Sequence, residues 1–79
     1  MRLLLINGNT TQAITDRCAA AARAAARPDT EIVPLTASRG PKIIGTRAEN
    51  ALASAAVIEL LAAHAGTADA ALIAISFDT

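Results

Sequence analysis

From Arg2 to Asn7 the chain opens with an unbroken apolar run, Leu3, Leu4, Leu5 and Ile6, closed by an amide. A half-exposed strand alternates apolar and polar residues, so a short continuous run predicts a strand covered on both faces, as in a parallel sheet. From Thr11 to Arg27 no glycine or proline interrupts an alanine-rich stretch, and Ile14, Cys18, Ala21, Ala22 and Ala25 recur at helical spacing. This predicts a helix ended by Pro28, with Asn9 as N-cap and Gln12 as its partner three residues on. Glu31 to Leu35 reads as a second strand, which Pro34 confines to a sheet edge because it lacks a ladder donor. Thr36 to Gly45 has no periodicity and predicts a long loop. Thr46 and Glu49 have the spacing of a capping box, in which the hydroxyl takes the amide three residues on and the carboxylate returns to the cap amide. A helix with Leu52, Ala55, Ile58 and Ala62 as its apolar stripe follows to about Ala65 and stops at Gly66. Ala70 to Ile75 is again a doubly covered run, and Ser76 to Thr79 a polar turn.

The order βαβαβ defines an α/β fold, one half of a doubly wound parallel sheet. Right-handed crossovers and an edge position for the second strand give the sheet order 2-1-3, with helices on both faces. Such sheets bind ligands beyond the carboxyl ends of their strands at the switch point, here between the first and third strands. The turns that converge there carry Asn7, Asn9, Thr10 and Thr11 on one side and Ser76, Phe77, Asp78 and Thr79 on the other. Amide and hydroxyl groups beside a helix start suit a carboxylate or another anion. Thr15, inside the first helix, has no role in this picture, and Thr15→Ala is expected to change little.

Composition narrows the chemistry. Seven basic side chains balance seven acidic ones, which leaves no net charge for gripping nucleic acid or an anionic membrane. Of the 53% hydrophobic residues, 21 are alanines, so the core is expected to be thin. One cysteine and one histidine form neither an internal disulfide nor a four-ligand metal set. Cys18 reads as a packed thiol and His64 as a residue of the second helix's last turn. No run has the length of a membrane span or a signal-peptide core, so a cytoplasmic location is the default expectation. The glycine fingerprints of dinucleotide and nucleoside triphosphate sites are missing as well.

Leu4 to Thr11 with its Asn-Gly-Asn-Thr-Thr ending, Gly40, Pro41 and Ile44 of the long loop, the helix start at Glu49, and the run from Asp69 to Phe77 resemble the first half of the aspartate/glutamate/hydantoin racemase superfamily. Most hydantoin racemases carry proline at the position of Gly8. The resemblance implies that residues 1–79 are the N-terminal lobe of a two-lobe enzyme whose second lobe is absent from this sequence. It implies a cofactor-independent isomerase, with no metal, that moves a proton at the carbon next to a carboxylate or carbonyl of an amino acid, a hydantoin or a related small acid. It also implies a homo-oligomeric full-length protein, and substrate contacts from Asn7, Asn9, Thr10, Phe77 and Thr79. Each lobe of the family typically supplies a cysteine; Ser76 occupies the first-lobe position, the catalytic one. An unactivated serine hydroxyl is too weak an acid to exchange roles with a thiolate near neutral pH. A hydrogen bond from Ser76 to a carboxylate or enolate, as in branches similar to arylmalonate decarboxylases and maleate isomerases, stays open beside racemisation. So does a small-carboxylate binding module.

Overall fold

The computed structural model describes residues 1–74. The elements are β1 (Arg2–Asn7), α1 (Gln12–Ala25), β2 (Glu31–Thr36), α2 (Arg47–His64), a single 3-10 turn at Ala65–Thr67, and β3 (Ala70–Ile73). All strand pairs are parallel and the sheet order is β2-β1-β3, as the sequence predicts. The edge position of β2 follows from Pro34. Glu31 N donates to Met1 O and Ala37 N to Asn7 O, so odd-numbered residues of this segment turn their amides toward β1. Pro34, paired in register with Leu5, belongs to the even set, and its missing donor faces the open edge.

The alternation of β1 separates two shallow cores. Leu4 and Ile6 pack with Val57 of α2, flanked by Val33, Leu35, Leu60, Leu61 and Ala68. Leu5 packs on the other face with Ala19 of α1 and Ile32, flanked by Leu3, Cys18, Ala22, Ala26 and Ala74. One helix therefore covers each face, and the half-buried Cys18 lies at the margin of the α1 core. β3 is exposed along its length, with Leu72 and Ile73 nearly half accessible.

Both helices are rotated from their expected faces. In α1 the fully inward residues are Thr15 and Ala19; Ile14, Cys18 and Ala22 are half-buried, while Ala21 and Ala25 of the predicted stripe are exposed. In α2 the predicted stripe of Leu52, Ala55, Ile58 and Ala62 faces outward, and Ala53, Ala56 and Val57 face the sheet. Apolar residues surround α2 on nearly every side, so spacing alone does not choose between rows. The sheet selects the row whose small alanines allow a close approach.

The helix starts also refine the prediction. The N-cap of α1 is Thr11, not Asn9, and its hydroxyl makes no cap bond. Asn9 is engaged elsewhere, as described below. α1 ends at Ala25, ahead of Pro28, which drives the residue before it out of helical geometry. At α2 the Thr46 hydroxyl accepts from Glu49 N at 3.1 Å, as expected, but the Glu49 carboxylate takes the amide of Gly45 at 3.0 Å, one residue beyond the cap. Thr46→Ala is expected to cost about 1 kcal/mol in urea denaturation. A loss indistinguishable from zero would remove the hydroxyl from the account of this helix start.

Candidate functional site at the carboxyl edge of the sheet

Asn7 is the last residue of β1 and shares the side-chain parity of Leu3 and Leu5, which face α1. Its side chain is fully buried. The amide nitrogen Nδ2 donates to Asn9 Oδ1 at 2.8 Å and Thr15 Oγ1 at 3.0 Å, with Thr11 O at 3.3 Å. Its Oδ1 accepts from Asn9 N at 3.1 Å. Asn9 Oδ1 accepts in addition from Thr11 N at 3.0 Å. The segment between β1 and α1 is therefore wrapped around one buried amide.

The long loop of residues 37–46 fastens this segment from the side. Thr10 N donates to Pro41 O at 3.0 Å, the Thr10 hydroxyl points at the same carbonyl at 3.4 Å, and the Thr11 hydroxyl donates to Lys42 O at 2.7 Å. Gly40, at φ +110°, turns the chain just before Pro41 in a conformation that glycine adopts without strain. Across the sheet, Asn7 is in register with Thr36. The Thr36 hydroxyl stands 2.6 Å from Thr15 Oγ1 and 2.9 Å from Gln12 Oε1, and Gln12 Nε2 donates to Asp16 Oδ1 at 2.9 Å.

This arrangement redistributes the roles assigned from sequence. Asn7 presents no surface to a ligand here; it sets the position of Asn9 and Thr10, which stand half-buried at the rim. Asn9 Oδ1 is taken by Asn7 Nδ2 and Thr11 N, so Nδ2 is the side-chain donor that Asn9 has left. Ser76, Phe77 and Thr79, the remaining predicted site residues, lie outside the described residues. Thr15 and Thr36 were missed: Thr15 is fully buried and bonded to both strands' ends, which removes the premise on which Thr15→Ala was expected to change little. The signal in the sequence is a hydroxyl on the inward row of an alanine helix, four residues before Ala19. The carbonyls of Pro41 and Lys42 carry no sequence signal at all.

Apart from Asp16 at its exposed far end, the network consists of uncharged side chains. Neutral donors of this kind hold a carbonyl oxygen or a ring amide, and they do not remove a proton from carbon. Among the described residues no group of three or more His, Cys, Asp or Glu side chains could hold a metal ion, and no helix is long and apolar enough to cross a membrane.

The fold has counterparts among solved structures. Allantoin racemase from Pseudomonas fluorescens is 42% identical to the chain and superposes with a TM-score of 0.88, over 94% of this chain and 32% of its own. Allantoin racemase from Klebsiella pneumoniae is 35% identical, also with a TM-score of 0.88, over 92% of this chain and 30% of its own. The chain thus spans less than a third of the length of these racemases. No curated protein gives a significant match. The family model described as Asp/Glu/Hydantoin racemase matches residues 3–78, nearly the whole sequence, and the chain belongs to that family.

Proposed function

We propose that the chain forms the first lobe of a racemase, and that its edge at Asn9 and Thr10 holds a small cyclic substrate of the hydantoin type. The observation that carries this reading is the similarity to allantoin racemases at up to 42% identity, joined to a site edge made of neutral groups. A hydantoin-type ring offers carbonyls and N–H groups but no full charge, which suits donors such as Asn9 Nδ2. A dicarboxylate such as aspartate favours cationic partners, and among the described residues no Lys or Arg side chain is hydrogen-bonded into this edge, Lys42 entering it through its carbonyl alone.

In the reaction, the proton on the carbon beside a ring carbonyl leaves from one face and a proton returns to the other. Negative charge gathers on the carbonyl oxygen as the first proton departs, and donors held rigidly against that oxygen lower the barrier. Asn9, fixed by Asn7, supplies such a donor. Ser76 contributes a hydrogen bond in this scheme, and the groups that move the protons belong to a second lobe. No cofactor enters these steps. The chain alone is then a binder of ring carbonyls, which the lack of a base in the neutral network favours.

The test pairs the chain with the remaining two-thirds of the Pseudomonas fluorescens enzyme, co-expressed, in deuterated buffer with single enantiomers of allantoin and 5-substituted hydantoins. Deuterium at the ring carbon and loss of optical rotation above the buffer rate are expected for the pair, and neither for the chain alone. A folded pair that exchanges aspartate or glutamate but no hydantoin refutes the substrate class. Exchange by the chain alone refutes the assignment of proton transfer to a second lobe.

A further inference from the structure

The geometry points to Thr15 as a positioning residue of the candidate site: its hydroxyl is the last link of a hydrogen-bond relay that reinforces the orientation in which the Asn7 amide holds the loop. The relay is read from the outer end. Asp16 is a carboxylate, which only accepts, so Gln12 turns Nε2 toward it at 2.9 Å and Oε1 toward Thr36. Thr36 owns one proton and has two neighbours, Gln12 Oε1 at 2.9 Å and Thr15 Oγ1 at 2.6 Å. The amide oxygen has no proton to give, so Thr36 gives its own to Gln12, and Thr15 supplies the proton between the two hydroxyls. Thr15 then meets Asn7 with lone pairs only, and Asn7 must present Nδ2 to it at 3.0 Å. Nδ2 in this orientation also reaches Asn9 Oδ1 and Thr11 O, and Oδ1 takes Asn9 N at 3.1 Å, so both ends of the amide hold the loop.

The reverse orientation is disfavoured at every contact. Flipping the Asn7 amide would set its oxygen against Asn9 Oδ1 and Thr11 O, both acceptors, and its NH2 against the Asn9 amide proton. Thr15 adds a fourth contact in the same sense and so supports the position of Asn9 and Thr10 without touching a ligand. The ligand side of this inference rests on the proposed function; the orientation of Asn7 does not.

Three variants of the chain test it: Thr15→Val, which keeps the shape and loses the hydroxyl, Thr15→Ser, which restores the hydroxyl, and Thr36→Val, which removes the next link. Amide exchange and side-chain NH2 signals are followed by NMR, and allantoin is titrated as the probe. In Thr15→Val the amides of Asn9 and Thr11 are expected to exchange about tenfold faster and allantoin to bind about tenfold more weakly, the loss of roughly one net hydrogen bond. Thr15→Ser is expected to stay within about twofold of the parent, and Thr36→Val to fall between. If Thr15→Val does not fold, Thr36→Val, cut at a half-buried link, carries the same readouts. A folded Thr15→Val, or in its place Thr36→Val, with unchanged loop exchange and an unchanged Asn7 NH2 signal overturns the inference. Faster loop exchange in the variants with no allantoin binding by the parent leaves the positioning role standing and refutes the substrate reading alone.

Discussion

Asn7→Ala is expected to lower stability by about 3 kcal/mol, more than any other single truncation at the sheet edge, because one buried amide serves four partners. Its Nδ2 reaches Asn9 Oδ1, Thr15 Oγ1 and Thr11 O, and its Oδ1 holds Asn9 N. Truncation leaves the Thr15 hydroxyl and the Asn9 amide facing a small void, and each buried polar group without a partner costs about 1–3 kcal/mol. The half-buried rim lets water recover part of that loss, which is why the expected figure is not the full sum. Asn7→Asp is the sharper variant. It keeps the oxygen for Asn9 N but replaces the donor with a second oxygen, opposite the acceptors Asn9 Oδ1 and Thr11 O, and so should cost at least as much near neutral pH. Urea denaturation followed by far-UV circular dichroism measures both. A loss below about 1 kcal/mol for Asn7→Ala would mean that the loop holds its shape without the amide.

The strands and their order were legible because their causes are local or nearly so. Leu3 to Ile6 and the run from Ala70 are too short for buried helices, and their length decides for strands; the cover on both faces expected of each holds for β1, whereas β3 is exposed along its length. Pro34 then sends β2 to an edge, and right-handed crossovers complete the order. The helix faces were illegible for a physical reason. An alanine-rich helix with Leu52, Val57, Ile58, Leu60 and Leu61 distributed around it has several rows of similar apolarity, and the closeness of approach to the sheet, a tertiary quantity, selects among them. The start of α1 failed in a related way. Asn9 and Thr11 are both good caps, but Asn9 Oδ1 is drawn to Asn7 Nδ2, a partner that exists only once β1 is in place. The candidate location follows from topology, since parallel sheets gather their loops at the carboxyl edge. Its internal division of labour was not legible. That Asn7 is fully buried while Asn9 stands at the rim is supported by Thr15 and Thr36, which are 21 residues apart in the chain and 2.6 Å apart in the fold.

Val57→Ala is expected to cost about 2 kcal/mol, and Ile58→Ala, one residue on, less than about 0.5 kcal/mol, although isoleucine is the larger side chain. Val57 is 5% exposed and packs on Leu4 and Ile6, whereas Ile58 is 64% exposed. Deleting two buried methyl groups forfeits about 1.6 kcal/mol of transfer free energy, and the space left between α2 and the sheet adds to it. The neighbouring backbone limits relaxation: Ala53 and Ala56 already bring α2 close to β1, so the helix has little room to settle further. Ile58, mostly exposed, has little buried surface to lose, and alanine's higher helix propensity offsets part of that. Leu52→Ala, at 61% exposure, should behave like Ile58→Ala. Chemical denaturation of the three variants separates the two faces, because the row suggested by spacing alone requires the opposite order. A larger loss from Ile58→Ala than from Val57→Ala would place the outward row against the sheet and undo the packing of α2 described above.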